Sequence, residues 1–485
     1  MTTRALAEFV AGLRFEDLPP AVVERACDVV LDAVGCALSA RVEDKDKARV
    51  AREIAALYPA VAGGAGVIGA ADQSVQPAFA ALANGILVNA ADNDDTHKVA
   101  LLHVGSVVVP TALALGQAHR LSGRQVILAL VAGYEVAVRV GMAVMPTHYR
   151  FWHSTATNGT FGAAATAAKA LGLDADATQR ALGLAGTQAA GLNTFFESGD
   201  MTKSVHPGKA ALNGILSAQM AALGCTSPPG ILEHPKGYLA AFSLEPKPAA
   251  LTAGLGTKWE ILENGFKYFP SILASHSPIQ ATLAIVQRHA IDPARIAAIT
   301  NETYNTVRTH FSNKDVRTVM AARVSVPYCI AAAAVDRELT QRQFASARID
   351  DPVVGRVLAR TDVVAVPELD ALYPAKFPAR VTIRMEDGSS HQESVMLPKG
   401  DPGNPMTPGE IAAKFRANCA GVLPAGQAEA LLAAIRNLPN LPTVGSLFAG
   451  LMAGAPLGLG RAGVPPSQAP SPAPRLRARG RSCVR

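Results

Sequence analysis

The sequence predicts a mainly α fold, in which a large all-α helical domain is joined to a smaller α+β domain, and three observations predict it. Apolar residues recur at three- and four-residue spacing from about residue 4 to 265, the period of helices with one or more buried faces. After about Asn264 the pattern changes to short segments that alternate apolar and polar residues, the period of half-buried strands. Hydrophobic residues make up 49% of the chain against 17% charged and 5% aromatic, which excludes a disordered chain and points to closely packed cores of Ala, Val, Leu and Gly. At 485 residues the chain exceeds one ordinary core, since domains usually run about 100–200 residues.

The helical elements follow in order as VVERACDVVLDAVGCAL, FAALANGILVNAA, PTALALGQAHRL, RQVILALVAGYEVAVRVG, FGAAATAAKALGLD and TQRALGLAGTQAAGL. In the fourth, Glu135 and Arg139 stand four residues apart, the spacing for a pair on one wet stripe of a mostly buried helix. The strand-like segments are RIAAITNETYNTV, DVVAVPEL and ARVTIRMEDGSSHQESVML, the last with Asp387-Gly388 where a hairpin turn is expected. Between them lies the helical run PYCIAAAAVDREL. These boundaries give a helical domain over 1–266, an α+β domain over 267–400 and a return to the first domain over 401–440, where PGEIAAKFRANCAGVL and AEALLAAIRNL are again helical. Residues 441–485 are rich in Pro, Gly, Ala, Ser and Arg and read as a disordered tail with little to bury.

The formal charge of +6 sits in that tail, where Arg461, Arg475, Arg477, Arg479, Arg481 and Arg485 stand without an acid. The body of the chain therefore carries no net basic character, and no nucleic-acid partner is expected. Six scattered cysteines with no C-x-x-C pair exclude a zinc cluster or a disulfide framework. Charged residues interrupt the N-terminal segment, and Pro439, Pro442 and Pro456 interrupt the uncharged stretch from Leu438 to Gly460. No export, no membrane span and a cytoplasmic protein are expected.

Five short polar clusters interrupt the apolar chain. ADNDDTHKVALLHVGS carries Asp92, Asp94, Asp95, Thr96, His97 and His103; it reads as a helix end and loop, and without a second matching ligand cluster a metal is not expected. YRFWHSTATNGTFG places His153 at the start of a helix whose first turn of small and hydroxyl residues suits a carboxylate, or simply caps the helix. GDMTKSVHPGKAALNG gathers Lys203, His206 and Lys209 into a cationic corner. NGFKYFPSILASHSPIQ sets Lys267 and His276 at the junction between the two patterns, where a lysine would be partly desolvated. RVSVPYCIAAAA starts a helix with Tyr328, a position where a core tyrosine is the ordinary outcome.

Singly these clusters are ambiguous; their order and wording are specific. DNDDTH, GYEVAVRVG, HSTATNGTFGAAATAAKALGL, KSVHPGKAALNG, FKYFPS, VPYCIA and PKGDPGNPMT resemble the MmgE/PrpD family, colinearly from about residue 4 to 437. The resemblance implies a helical body and a smaller lid with the active site between them, a homodimer, no cofactor and a small polycarboxylate substrate. It places the reacting groups on His103, His153, Lys203, Lys267 and Tyr328, and substrate-binding groups on Asp92, Thr96, His206 and His276. Removing a proton beside a carboxylate requires a base and positive charge where the enediolate-like anion develops. In the resemblance Lys203 and Lys267 supply that charge, while His103, His153 or Tyr328 move protons. The expected activity is that of a lyase like 2-methylcitrate dehydratase. Epimerisation of the iminodisuccinate kind or decarboxylation of the cis-aconitate kind are the alternatives, and a catalytically silent binding protein is the reading from outside enzymology. The segment KVALLHVGS departs from the His-Pro pairing of the dehydratases and leaves the choice among these open.

Overall fold

Helices dominate the structure, a computed structural model that describes residues 2–58, 61–70 and 74–447. The tail expected over 441–485 lies outside the described residues from 448 onward. The central helix, Gly123–Val144, is apolar on every side because it is buried on every side, and Ser122 and Gln125 cap its start reciprocally. It is the one described helix long and apolar enough to cross a membrane, and 89% of its apolar window is buried within the fold. It packs against Ser154–Ala170, which packs against Thr202–Ala222, which in turn packs against Pro77–Asn89.

Small residues set the spacing of this stack. A Cβ on Gly208 would stand 2.2 Å from the Leu82 carbonyl oxygen, and one on Gly85 would stand 2.6 Å from Gly208 Cα, so the two helices touch backbone to backbone. Ser204 Oγ reaches the Asn89 carbonyl at 3.4 Å, so the end of Pro77–Asn89 lies beside the start of Thr202–Ala222. Whatever follows Asn89 is thereby set against Lys203.

The alternating segments form a four-stranded sheet in the order Thr361–Ala365, Ile296–Thr303, Ala379–Met385, Ser390–Val395. The first pair is parallel and the other two are antiparallel. The last pair turns through Gly388, whose φ of 88° is open to glycine at little cost. Helices His276–Arg288 and Val326–Asp336 pack with this sheet around a second hydrophobic cluster that runs from Phe269 to Met385. Helices Pro408–Cys419 and Ala425–Arg436 pack instead on Pro20–Glu43 and belong to the first cluster.

Two expectations require correction. The helical pattern stops at Ala222; residues 223–265 hold only the short helix Tyr238–Phe242 and 3-10 turns. Pro228, Pro229, Pro235, Pro246 and Pro248 withhold donors and block the helix there. The Glu135–Arg139 pair forms at 3.3 Å but on no wet stripe, since both side chains are fully buried. Arg139 donates to the Ala253 and Lys258 carbonyls at 2.6 and 2.9 Å, and Glu135 accepts from the Glu260 N–H at 2.7 Å. The pair ties the irregular segment to the central helix.

Gly208→Ala should force the Pro77–Asn89 helix away and destabilise the protein by about 1–3 kcal/mol, the usual cost of overpacking. Urea unfolding measures it, and a midpoint equal to wild type would show that the helices have room to spare.

Candidate active site

Between the two hydrophobic clusters lies a cavity of about 110 Å³. One wall comes from the loop after Pro77–Asn89 and the start of Thr202–Ala222, with Asp92, Thr96, Leu101, His103 and Lys203; the other carries Lys267 and residues from Ile272 to Phe377. Asp92 and Leu101 both sit in the left-handed region, with φ of 52° and 47°. Such conformations cost about 1–3 kcal/mol each and persist only where the surroundings impose them.

The surroundings do impose them. Lys47 Nζ and Arg323 Nη1 bind the Ala90 carbonyl at 2.8 and 3.2 Å, and Lys414 Nζ binds the Asn93 carbonyl at 2.6 Å. Asn89 Nδ2 holds both Asp94 oxygens at 3.0 Å. Asp95 accepts from the Tyr134 hydroxyl, from Asn264 Nδ2 at 2.9 Å and from the Gly105 N–H at 3.0 Å. Burial, with the charges of Asp32 and Asp94, pushes the Asp95 carboxyl up to about 7. Thr96 and Gly265 exchange backbone hydrogen bonds at 2.8 and 3.0 Å, which ties the loop to the segment that carries Lys267.

At the centre, Asp92 Oδ1 accepts from both Lys203 Nζ and Lys267 Nζ, the latter at 2.6 Å. Lys267 Nζ also reaches the Asp92 carbonyl at 3.0 Å. All three side chains are almost completely buried. Burial alone would raise the Asp92 carboxyl, but the two ammoniums outweigh it and hold the group well below the usual carboxylate range. Burial lowers Lys267, and Asp92 offsets part of that effect. Asp92 Oδ2 is buried without a partner.

Beside this cluster His103 Nδ1 lies 3.0 Å from the Asp95 carbonyl, 3.2 Å from Thr96 Oγ1 and 3.4 Å from Asp94 Oδ2. Acceptors on that side favour the proton on Nδ1 and leave Nε2, which has no partner among the described residues, open to a ligand. Asp92, Asp94 and His103 offer ligand atoms within 4.8 Å of one another. A cation there would meet the two ammoniums already on Asp92.

His153 caps the helix Ser154–Ala170, fully buried, its ring 6.4 Å from that of His103. Its Nδ1 stands 2.9 Å from His206 Nδ1, and its Nε2 has no partner. Burial first, and nearby positive groups second, hold His153 well below the ordinary imidazole value and His206 at about 4. Both imidazoles are therefore neutral near pH 7, so one donates to the other.

Of the nine residues expected, the structure brings Asp92, Thr96, His103, Lys203 and Lys267 to the cavity wall, with His153 and His206 packed beyond His103. It does not bring Tyr328 there: the helix Val326–Asp336 is buried all round, and the Tyr328 hydroxyl donates to the Gln343 carbonyl within the second cluster. His276 also lies off the wall. It is fully buried, its Nε2 is 3.4 Å from the Ser271 carbonyl, and burial lowers it to about 3. Of the cationic corner, Lys209 stays near enough to His206 to lower it but turns off the wall to the Gln188 and Ala190 carbonyls at 3.0 and 2.9 Å. Sequence reasoning missed Tyr149, Tyr304 and Tyr373 on the wall. Tyr149 stands four residues before His153, and Tyr304 directly follows the strand Ile296–Thr303, so position relative to an element end was the available signal.

Sequence comparison identifies the class of protein that carries this mainly α fold. Residues 4–251 match the MmgE/PrpD N-terminal domain and residues 269–440 the MmgE/PrpD C-terminal domain. The chain belongs to the MmgE/PrpD family. It is similar to the cis-aconitate decarboxylase-like protein oryM of Aspergillus oryzae, with 30% identity over 92% of this chain and 96% of that protein. It is also similar to cis-aconitate decarboxylase of Aspergillus terreus, 30% identical over 85% and 88%, and to cis-aconitate decarboxylase of Homo sapiens, 26% identical over 90% and 92%.

Asp92→Asn should leave two buried ammoniums without their counter-charge and cost about 3–5 kcal/mol at pH 7. Because the folded carboxyl lies below its unfolded value of about 3.9, its contribution is complete above that value and is lost as pH falls through the folded value. The stability gap between wild type and Asp92→Asn should stay constant from pH 7 to 5 and narrow only below about pH 4. A gap that closes between pH 7 and 5 contradicts the depressed carboxyl.

Proposed function

We propose that the chain is a lyase that generates a carbanion beside a retained carboxylate of a small di- or tricarboxylic acid, and that it does so by decarboxylation. The observation that carries this reading is the convergence of Lys203 and Lys267, 64 residues apart in sequence, on one buried carboxylate at the wall of a cavity that His103 also lines. Ammoniums fixed in advance in a desolvated site stabilise developing negative charge without reorganising, which is the largest lever a protein has on such a step. When the bond to the departing carboxyl carbon breaks, carbon dioxide leaves and the bonding pair stays on the substrate. The retained carboxylate spreads that charge toward the ammoniums, and a proton delivered to the carbon takes up the pair. His103, with Nδ1 engaged and Nε2 open, is suited to deliver it.

The same carbanion would serve dehydration or epimerisation. Decarboxylation is preferred here because relatives that cover 85–92% of this chain carry that name. In this reading residues 267–400 act as the lid, supported by the second hydrophobic cluster that backs their side of the cavity.

Incubation with a series of unsaturated di- and tricarboxylic acids in deuterium oxide distinguishes the outcomes. Release of carbon dioxide with one deuterium in the product is expected; loss of water, or deuterium uptake without change of composition, would move the chain to the dehydratase or epimerase reading. No change in any acid would favour a silent relative. In the active assay, His103→Gln should lower kcat about 10²–10⁴-fold, the range for loss of a positioned acid or base, while the far-ultraviolet circular dichroism stays that of wild type. Full activity in that variant removes His103 from the chemistry.

A further inference from the structure

Charge and shape of the cavity constrain the acid more closely. Among the described residues on its wall the fixed charges are Lys203, Lys267 and Asp92, so the cluster offers one net positive charge. No arginine lines it among the described residues. The wall away from the cluster is largely apolar: Leu101, Phe196, Ile272, Leu273, Phe311 and Phe377 face the same space, with the hydroxyl residues Tyr149, Tyr304, Thr306 and Tyr373 set among them. A third carboxylate placed there would meet hydroxyls but no counter-charge, and burying it would still cost on the order of a few kcal/mol. An apolar substituent placed there gains instead, because water leaves both surfaces.

Resting on the reading of this cavity as a carboxylate site, we propose that its substrate is a dicarboxylate bearing an apolar arm, the two carboxylates toward Lys203, Lys267 and His103 and the arm against the Ile272–Leu273 and Phe311 face. A wall that served only to desolvate the departing carboxylate would need to meet one small group. Six apolar side chains contributed by segments from residue 101 to 377 form a larger surface than that.

Unreactive saturated acids test the proposal without requiring turnover. Calorimetric titration of the intact protein with methyl-, propyl- and hexylsuccinate should show Kd falling with chain length, by about three- to fourfold for each methylene that finds the wall. Propane-1,2,3-tricarboxylate should bind more weakly than propylsuccinate. Leu273, only partly buried, provides the second arm: Leu273→Arg should reverse the order, binding the tricarboxylate more tightly and hexylsuccinate at least tenfold more weakly. Affinity independent of chain length, or a tricarboxylate preferred by wild type, overturns the apolar arm and leaves the carboxylate site standing. Failure of all four acids to bind overturns the carboxylate site itself. Tight binding of the alkylated acids, with no carbon dioxide released from their unsaturated counterparts, upholds the arm and sinks the lyase reading.

Discussion

The architecture of the cavity depends on one arrangement, the Asp92 carboxylate that receives two ammoniums away from water. Two lysines brought together in a desolvated place repel each other by about 4 kcal/mol at 4 Å and an effective dielectric of 20. Without a shared anion one of them would lose its proton or leave the site. Asp92 keeps the pair together, but its unpartnered Oδ2 and left-handed backbone show what that costs. Much of the surrounding loop can be understood as holding that one residue still. Lys47 and Arg323 fix the carbonyl two residues before it, Lys414 the carbonyl after it, and Asp95 anchors the chain beyond to Tyr134, Asn264 and Gly105.

This also explains why the site draws on both hydrophobic clusters. Lys203 belongs to a helix pressed against Pro77–Asn89 through Gly85 and Gly208, so its approach to Asp92 is set by a backbone-to-backbone helix contact. Lys267 arrives on the strand-like connection that pairs with Thr96 through Gly265. Any shift of the second cluster against the first would therefore move one ammonium relative to the other. That coupling links packing far from the cavity to its electrostatics.

Much of this was legible in the sequence, for physical reasons that differ by element. The long helices could be read because their apolar periodicity is sustained over several turns, and the sheet because its strands alternate. The break after Ala222 could have been read from the prolines, yet apolar spacing alone hid it. Asp92, Thr96, His103, Lys203 and Lys267 were accessible because they stand in short polar segments within an apolar chain. Lys209 was misplaced because successive helical residues turn by about 100°, so that Lys203 and Lys209 face different neighbours although six residues apart. Tyr328 was misplaced because its motif marks a helix start and carries no information about which way the ring points; the helix is enclosed, and the Gln343 carbonyl satisfies the hydroxyl. Phe311 and Phe377 were invisible for the opposite reason. They are ordinary core residue types whose proximity to the lysines is set by tertiary packing alone.

In the proposed reading, the carboxylate that assembles the site must also yield to an acid substrate. An acid entering the cavity brings oxygens that compete with Asp92 Oδ1 for the same two ammoniums, and each hydrogen bond it gains there is one that Asp92 loses or shares. The net attraction for an anion is therefore smaller than two lysines would suggest, and binding has to draw on another term. The largely apolar wall opposite the lysines would supply that term through the water displaced from it. A site balanced in this way would hold its charges in place before an acid arrives and commit them only when the anion and the wall are engaged together. That is how preorganised electrostatics favours the transition state over loosely bound acids.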